Sequence, residues 1–167
     1  VFREDGIVGV IASTAGSVRA YDLHDGRELW FVTGVQGNST ASPTVVGNQV
    51  LIAASADREG GGNRGGAGSP RGGEGRPPMP GGGRPALDPA QAGSLMIRLG
   101  GNGDVTASHV SWKAPKVSAG YASPVVAEGL AYFVNRVGGV QCVDITTGEV
   151  RWQHRLPCTA EQSRCPG

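Results

Sequence analysis

Two stretches decide the fold. Gly16-Ser-Val-Arg-Ala-Tyr-Asp22-Leu-His-Asp-Gly26-Arg-Glu-Leu-Trp30 and Gly138-Gly-Val-Gln-Cys-Val-Asp144-Ile-Thr-Thr-Gly148-Glu-Val-Arg-Trp152 superpose without a gap at a constant offset of 122. Gly, Val, Asp, Gly and Trp coincide. In each copy a short strand, Val18–Leu23 or Val140–Ile145, carries the Asp at its end, where the carboxylate can accept backbone N–H groups of the turn that follows. The Gly four residues on makes positive φ cheap and closes a hairpin. The Trp then falls on the returning strand, where an indole can cover a sheet face and offer its N–H to a neighbouring carbonyl.

Working outward, Ala41-Ser42-Pro43 matches Ala122-Ser123-Pro124, each ahead of an apolar run, Thr44–Val46 or Val125–Ala127. A third, degenerate copy ends at Trp112, after Ser94–Leu99. Trp112 and Trp152 are 40 residues apart; Trp30 and Trp112 are 82 apart, or 45 once the insertion 57–93 is removed. A unit of that length with four short strands is the period of a propeller blade. Ile7–Thr14, Val18–Leu23, Val50–Ala54, Leu130–Asn135 and Val140–Ile145 read as strands bounded by Gly, Asn or Asp. No stretch of a dozen residues carries a 3.6-residue period. The expectation is an all-β chain, a partial propeller of three blades: about 1–34 (without its first strand), 38–115 and 119–157, with a tail at 158–167.

Residues 57–93 run rich in Gly, Arg and Pro with almost nothing apolar before Ala86. Ordering them would cost entropy that no burial offsets, so a disordered insertion is expected. Composition excludes several classes. The chain has 167 residues, 15 Lys+Arg against 14 Asp+Glu, a net charge of +1, 17% charged and 5% aromatic residues, and 29 glycines. That is neither a coiled coil nor a chain with a strong pull toward nucleic acid. No apolar run is long enough to cross a bilayer. The opening Val1-Phe2-Arg3-Glu4-Asp5, without Met or a basic leader, reads as a mature or cut-out segment.

Ala20-Tyr-Asp22-Leu-His-Asp-Gly26-Arg27-Glu-Leu-Trp30 resembles the A-x-D-x-x-x-G-[KR]-x-x-W tryptophan-docking motif of pyrroloquinoline-quinone-type (PQQ-like) β-propellers. The second copy is similar, with Cys142 for Ala and Glu149 for the basic residue. The resemblance covers residues 7–56 and 94–156. It implies that Asp22, Gly26, Trp30, Asp144, Gly148 and Trp152 are structural, each Trp tying one blade to the next.

Two groups share the repeat: quinoprotein dehydrogenases, which hold PQQ and calcium, and non-catalytic proteins similar to an outer-membrane assembly lipoprotein. The first group needs a carboxylate base, oxygen ligands for calcium and usually a Cys-Cys pair. This chain has no Cys-Cys, and Glu4, Asp5, Glu28, Asp104, Glu128, Glu149 and Glu161 are scattered. The expectation is therefore no catalytic, cofactor or metal residue, and a protein-interaction scaffold in an extracytoplasmic, periplasmic compartment. Part of a quinone- and calcium-dependent alcohol or sugar dehydrogenase remains the alternative, with a sensor or ligand-binding propeller third. Protein partners are expected, together with further blades supplied by a parent chain or by self-association, because each blade relies on its neighbours.

The remaining features weigh less. His24, His109 and His154 lack ligand spacing. Cys142, at the alanine position, reads as a small buried hydrophobe. Cys158 and Cys165 flank Thr159–Arg164, a loop that a disulfide would close in an exported protein. Gly60–Gly65 satisfies G-x-G-x-x-G without the helix that a phosphate cradle needs. The Arg-Gly-Gly pair at Arg64 and Arg71 has no interleaved aromatics, and Asn38-Ser39-Thr40 is a chance-level glycosylation sequon.

Overall fold

The computed structural model describes residues 1–4, 6–14, 16–35, 41–53, 93–135 and 138–157. Asn38-Ser39-Thr40, nearly all of the 57–93 insertion with its glycine motifs, and Cys158 and Cys165 lie outside them.

Three antiparallel meanders follow one another along the chain. Blade 1 is β1 (Phe2–Glu4), β2 (Ile7–Thr14), β3 (Gly16–Asp22) and β4 (Glu28–Val35). Blade 2 is β5 (Thr44–Val46), β6 (Gln49–Ile52), β7 (Ser94–Arg98) and β9 (Val110–Ala114); between its last two strands lie β8 (Gly103–Asp104) and the single-turn α1 (Thr106–His109). Blade 3 is β10 (Val125–Ala127), β11 (Leu130–Val134), β12 (Gly139–Asp144) and β13 (Val150–Arg155).

The first blade has the opening strand that the sequence reading left out. Phe2 pairs with Gly9, and a Cβ on Gly9 would lie 2.3 Å from the Phe2 ring, so the missing side chain is what lets the ring lie flat across β2. Phe2 is buried and its ring sits 6.2 Å from that of Trp30. Three residues are too few to show alternation, which is why the pattern alone did not reveal β1.

Blade 2 is buried on both faces, and its alternation sorts the side chains. Val50, Ile52, Leu95 and Ile97 enter a core shared with Val18, Ala20, Trp30 and Val32 of blade 1. Leu51, Ala53 and Met96 enter a second core with Ala131, Phe133 and Val143 of blade 3. A strand covered on both sides reads as an unbroken apolar run, as β6 and β7 do. Each fully buried Val, Leu or Ile contributes roughly 1.5–3 kcal/mol, so these two interfaces hold the blades in order.

β8 leaves its own blade to pair in parallel with the outer strand of blade 1, Trp30 opposite Gly103 and Phe31 opposite Asp104. Val105 N–H donates to the Phe31 carbonyl (3.0 Å) and Thr33 N–H to Thr106 Oγ1 (2.9 Å), extending that edge contact.

Candidate functional site

The repeat's own residues form the most regular set of positions in the molecule. Trp30, Trp112 and Trp152 stand opposite Ala20, Met96 and Cys142, all three fully buried. Each pair precedes a register shift, at Ala20/Tyr21, Met96/Ile97 and Cys142/Val143. A bulge at that point bends the strand and re-aims the side chains around it. Met96 therefore occupies the motif's alanine position, an equivalence hidden in the sequence because the rest of that copy has diverged.

The turns after β3 and β12 are near copies. Asp22 Oδ1 accepts from His24 N–H (2.8 Å), and the Asp22 carbonyl from Gly26 N–H (3.0 Å). Asp144 Oδ1 accepts from Thr146 N–H (2.8 Å), and its carbonyl from Gly148 N–H (2.9 Å). Gly26 and Gly148 have φ of +72° and +76°. Leu23 N–H donates to the Val8 carbonyl in β2 (2.9 Å), and Ile145 N–H to the Gly129 carbonyl in the turn just ahead of β11 (3.1 Å). Leu99 does the same to Asn48 (2.8 Å), which puts Arg98 at the aspartate position of blade 2. Arg98 donates instead to the Ser108 carbonyl across a longer connection (3.0 Å).

Asp144 also receives Arg151 at 2.6 Å. That guanidinium, with the Thr146 and Thr147 N–H groups, holds its carboxyl below the usual aspartate range. Thr106 does the same for Asp104 through side-chain and backbone hydrogen bonds.

The three indoles meet different surroundings. Trp112 lies over Gly148, where a Cβ would come within 2.6 Å of its ring, and its Nε1–H donates to the Ile145 carbonyl at 2.8 Å. Trp30 is 1% exposed, beside a cavity of about 110 Å³ lined by Phe2, Glu4, Ile7, Leu29, Gly100 and Gly101. Its Nε1–H has no hydrogen-bond partner among the described residues. Trp152 is 41% exposed, against Tyr132 (6.0 Å) and His154 (5.3 Å). Blades 2 and 3 also meet through their Ala-Ser-Pro segments, Ser42 N–H donating to Ser123 Oγ at 3.0 Å.

A family model described as outer membrane protein assembly factor BamB matches residues 2–154. The chain belongs to the BamB family of PQQ-like repeat propellers. Among solved structures, BamB from Moraxella catarrhalis is similar at 17% identity, with a TM-score of 0.48; the match covers 94% of this chain and 37% of that one. This chain thus spans well under half the length of that BamB. No curated protein sequence matches it. The partial all-β propeller expected from the repeat is the fold of this BamB-family chain.

Set within the BamB repeat, the other candidate residues go to local tasks. Glu28 pairs with Arg19, whose guanidinium also lies 5.1 Å from the Phe31 ring centre. His109 Nδ1 bonds Ser108 Oγ (2.7 Å), His154 packs on Trp152, and Cys142 is a buried free thiol. Among the described residues no three His, Cys, Asp or Glu side chains converge. No helix among the described residues is long and apolar enough to cross a membrane.

Proposed function

We propose that this chain is a non-catalytic BamB-type propeller segment that works as a protein-interaction scaffold outside the cytoplasm, in the periplasm of a bacterial envelope. The observation that carries this reading is the match of the assembly-factor family across residues 2–154. The side-chain inventory is consistent with it: Asp22, Asp144 and Asp104 cap turns, and Glu28 is engaged by Arg19. Trp30 and Trp112 pack between successive blades, which makes the propeller a stiff frame. Its loops and strand edges are the parts that meet other proteins.

The test pairs two measurements on the full-length parent protein. Isothermal titration with pyrroloquinoline quinone, with and without calcium, is expected to give no saturable heat. Photo-crosslinkers placed on the blade loops are expected to trap envelope proteins that mass spectrometry assigns to outer-membrane protein assembly. Calcium-dependent quinone binding at micromolar concentration would overturn the reading in favour of a quinoprotein dehydrogenase. Crosslinks to no envelope protein would overturn it as well.

A further inference from the structure

The joint between blades 1 and 2 lacks the bond that closes the joint between blades 2 and 3. In the latter, Trp112 Nε1–H donates to the Ile145 carbonyl. Beside Trp30 the counterpart of Ile145 is Leu99, matched by its own N–H bond to Asn48. There the chain departs from the repeat. In place of the Asp-to-Gly turn come Gly100 and Gly101, at φ of +94° and +86°, heading the longer connection to β9. The Trp30 Nε1–H, fully buried, meets no acceptor among the described residues.

The cavity of about 110 Å³ lies at this departure, with Trp30 in its wall. Its lining comes from blade 1 and from the connection after β7, inside a joint whose two blades are both described. Phe2, Ile7 and Leu29 make it apolar, and Glu4 adds a carboxylate. A Cβ on Gly100 would lie 2.5 Å from Glu4 Oε1, so the glycine is what admits that carboxylate. Glu4 is half-buried and takes no hydrogen bond or ion pair from a described residue. A purely apolar cavity of this size stays dry, whereas polar groups draw an occupant in. The pair of groups selects which. A cation would satisfy Glu4 and leave the indole N–H facing a positive charge, and an anion would do the reverse. A hydroxyl serves both, its oxygen accepting from the N–H and its hydrogen donating to the carboxylate.

We infer that the cavity is a binding site for a neutral hydroxyl compound, water or a small alcohol, which accepts from Trp30 Nε1–H and donates to the Glu4 carboxylate. The volume is ample for several waters, since one needs only about 10–15 Å³. It also suits one alcohol of a few carbons, whose body would lie on Phe2, Ile7 and Leu29. Removing the indole N–H here orphans no protein acceptor, whereas removing that of Trp112 orphans the Ile145 carbonyl. This inference does not depend on the scaffold reading.

The test follows the Trp30 indole N–H by NMR in the ¹⁵N-labelled full-length parent protein, where Trp30→Phe assigns the signal. Water held in the cavity is expected to give that N–H a cross-relaxation peak with NOE and ROE of opposite sign. Glu4→Ala loses the peak, and Glu4→Gln keeps it, because the amide oxygen still accepts. Titration with 2-propanol separates the two sources. A saturable shift of the Trp30 signal with loss of the water peak identifies an alcohol site; an intact water peak without a shift identifies water as the occupant. Neither a water peak nor an alcohol shift in the unaltered protein, or a response that is undiminished in Glu4→Ala, would overturn the inference.

Discussion

Trp30 and Trp112 share a position in the repeat and differ in one hydrogen bond, which separates packing from bonding. Trp112→Phe removes an N–H that reaches the Ile145 carbonyl, whereas Trp30→Phe removes a buried N–H with no partner among the described residues. An intramolecular hydrogen bond is worth about 1 kcal/mol net, and leaving a buried donor unmatched carries its own penalty. Urea melts should therefore show Trp112→Phe destabilising by about 1 kcal/mol more than Trp30→Phe. Asp144 gives a second test. Its folded carboxyl titrates below the ordinary range, chiefly because Arg151 holds the charged form. A depressed carboxyl adds stability above its unfolded value and loses that stability as the pH falls through the folded one. The unaltered chain should thus lose stability as the pH drops below about 3.9. Asp144→Asn should flatten that acid limb, seen as a shallower fall of the melting temperature.

Elements show where the sequence was legible. The Asp-to-Gly turns were, because a carboxylate two residues ahead of an N–H and a glycine at positive φ are local requirements. The differing environments of the three tryptophans were not, because each depends on another blade. The connection Leu99–His109 was missed for a related reason. It is eleven residues long where the equivalents are five, and its Gly-Gly-Asn-Gly opening reads as turn material. Only the distant edge of β4 makes two of its residues a strand. Strand β1 escaped through shortness, and its worth can be measured. Phe2→Ala removes a buried ring that covers Gly9 and touches Trp30. It should cost about 3 kcal/mol and speed amide exchange in β1 and the facing edge of β2, with β3 protection changing little.

On the scale of the whole molecule, the long insertion joins two neighbouring strands. Ile52 pairs with Leu95, so residues 53–93 connect a hairpin. Replacing 54–92 with a short turn shortens that closed loop about tenfold and should raise stability by about 2 kcal/mol, with the far-ultraviolet spectrum preserved. Gly93 has to stay, because a Cβ there would lie 2.4 Å from the Ala114 carbonyl oxygen. A denaturation midpoint that fell instead would mean the segment contributes contacts of its own. The two joints are also built differently. Blades 1 and 2 share a backbone ladder, β8 on β4, on top of their apolar core. The bonds described between blades 2 and 3 each use a side chain, from Trp112, Ser123, Thr44 or Gln141. In a linear array, stability is a sum of unit terms and nearest-neighbour couplings. Unequal couplings break the symmetry of such an array. The third blade is therefore the unit that peels away first under mild denaturant, leaving the first two as a coupled pair that melts together.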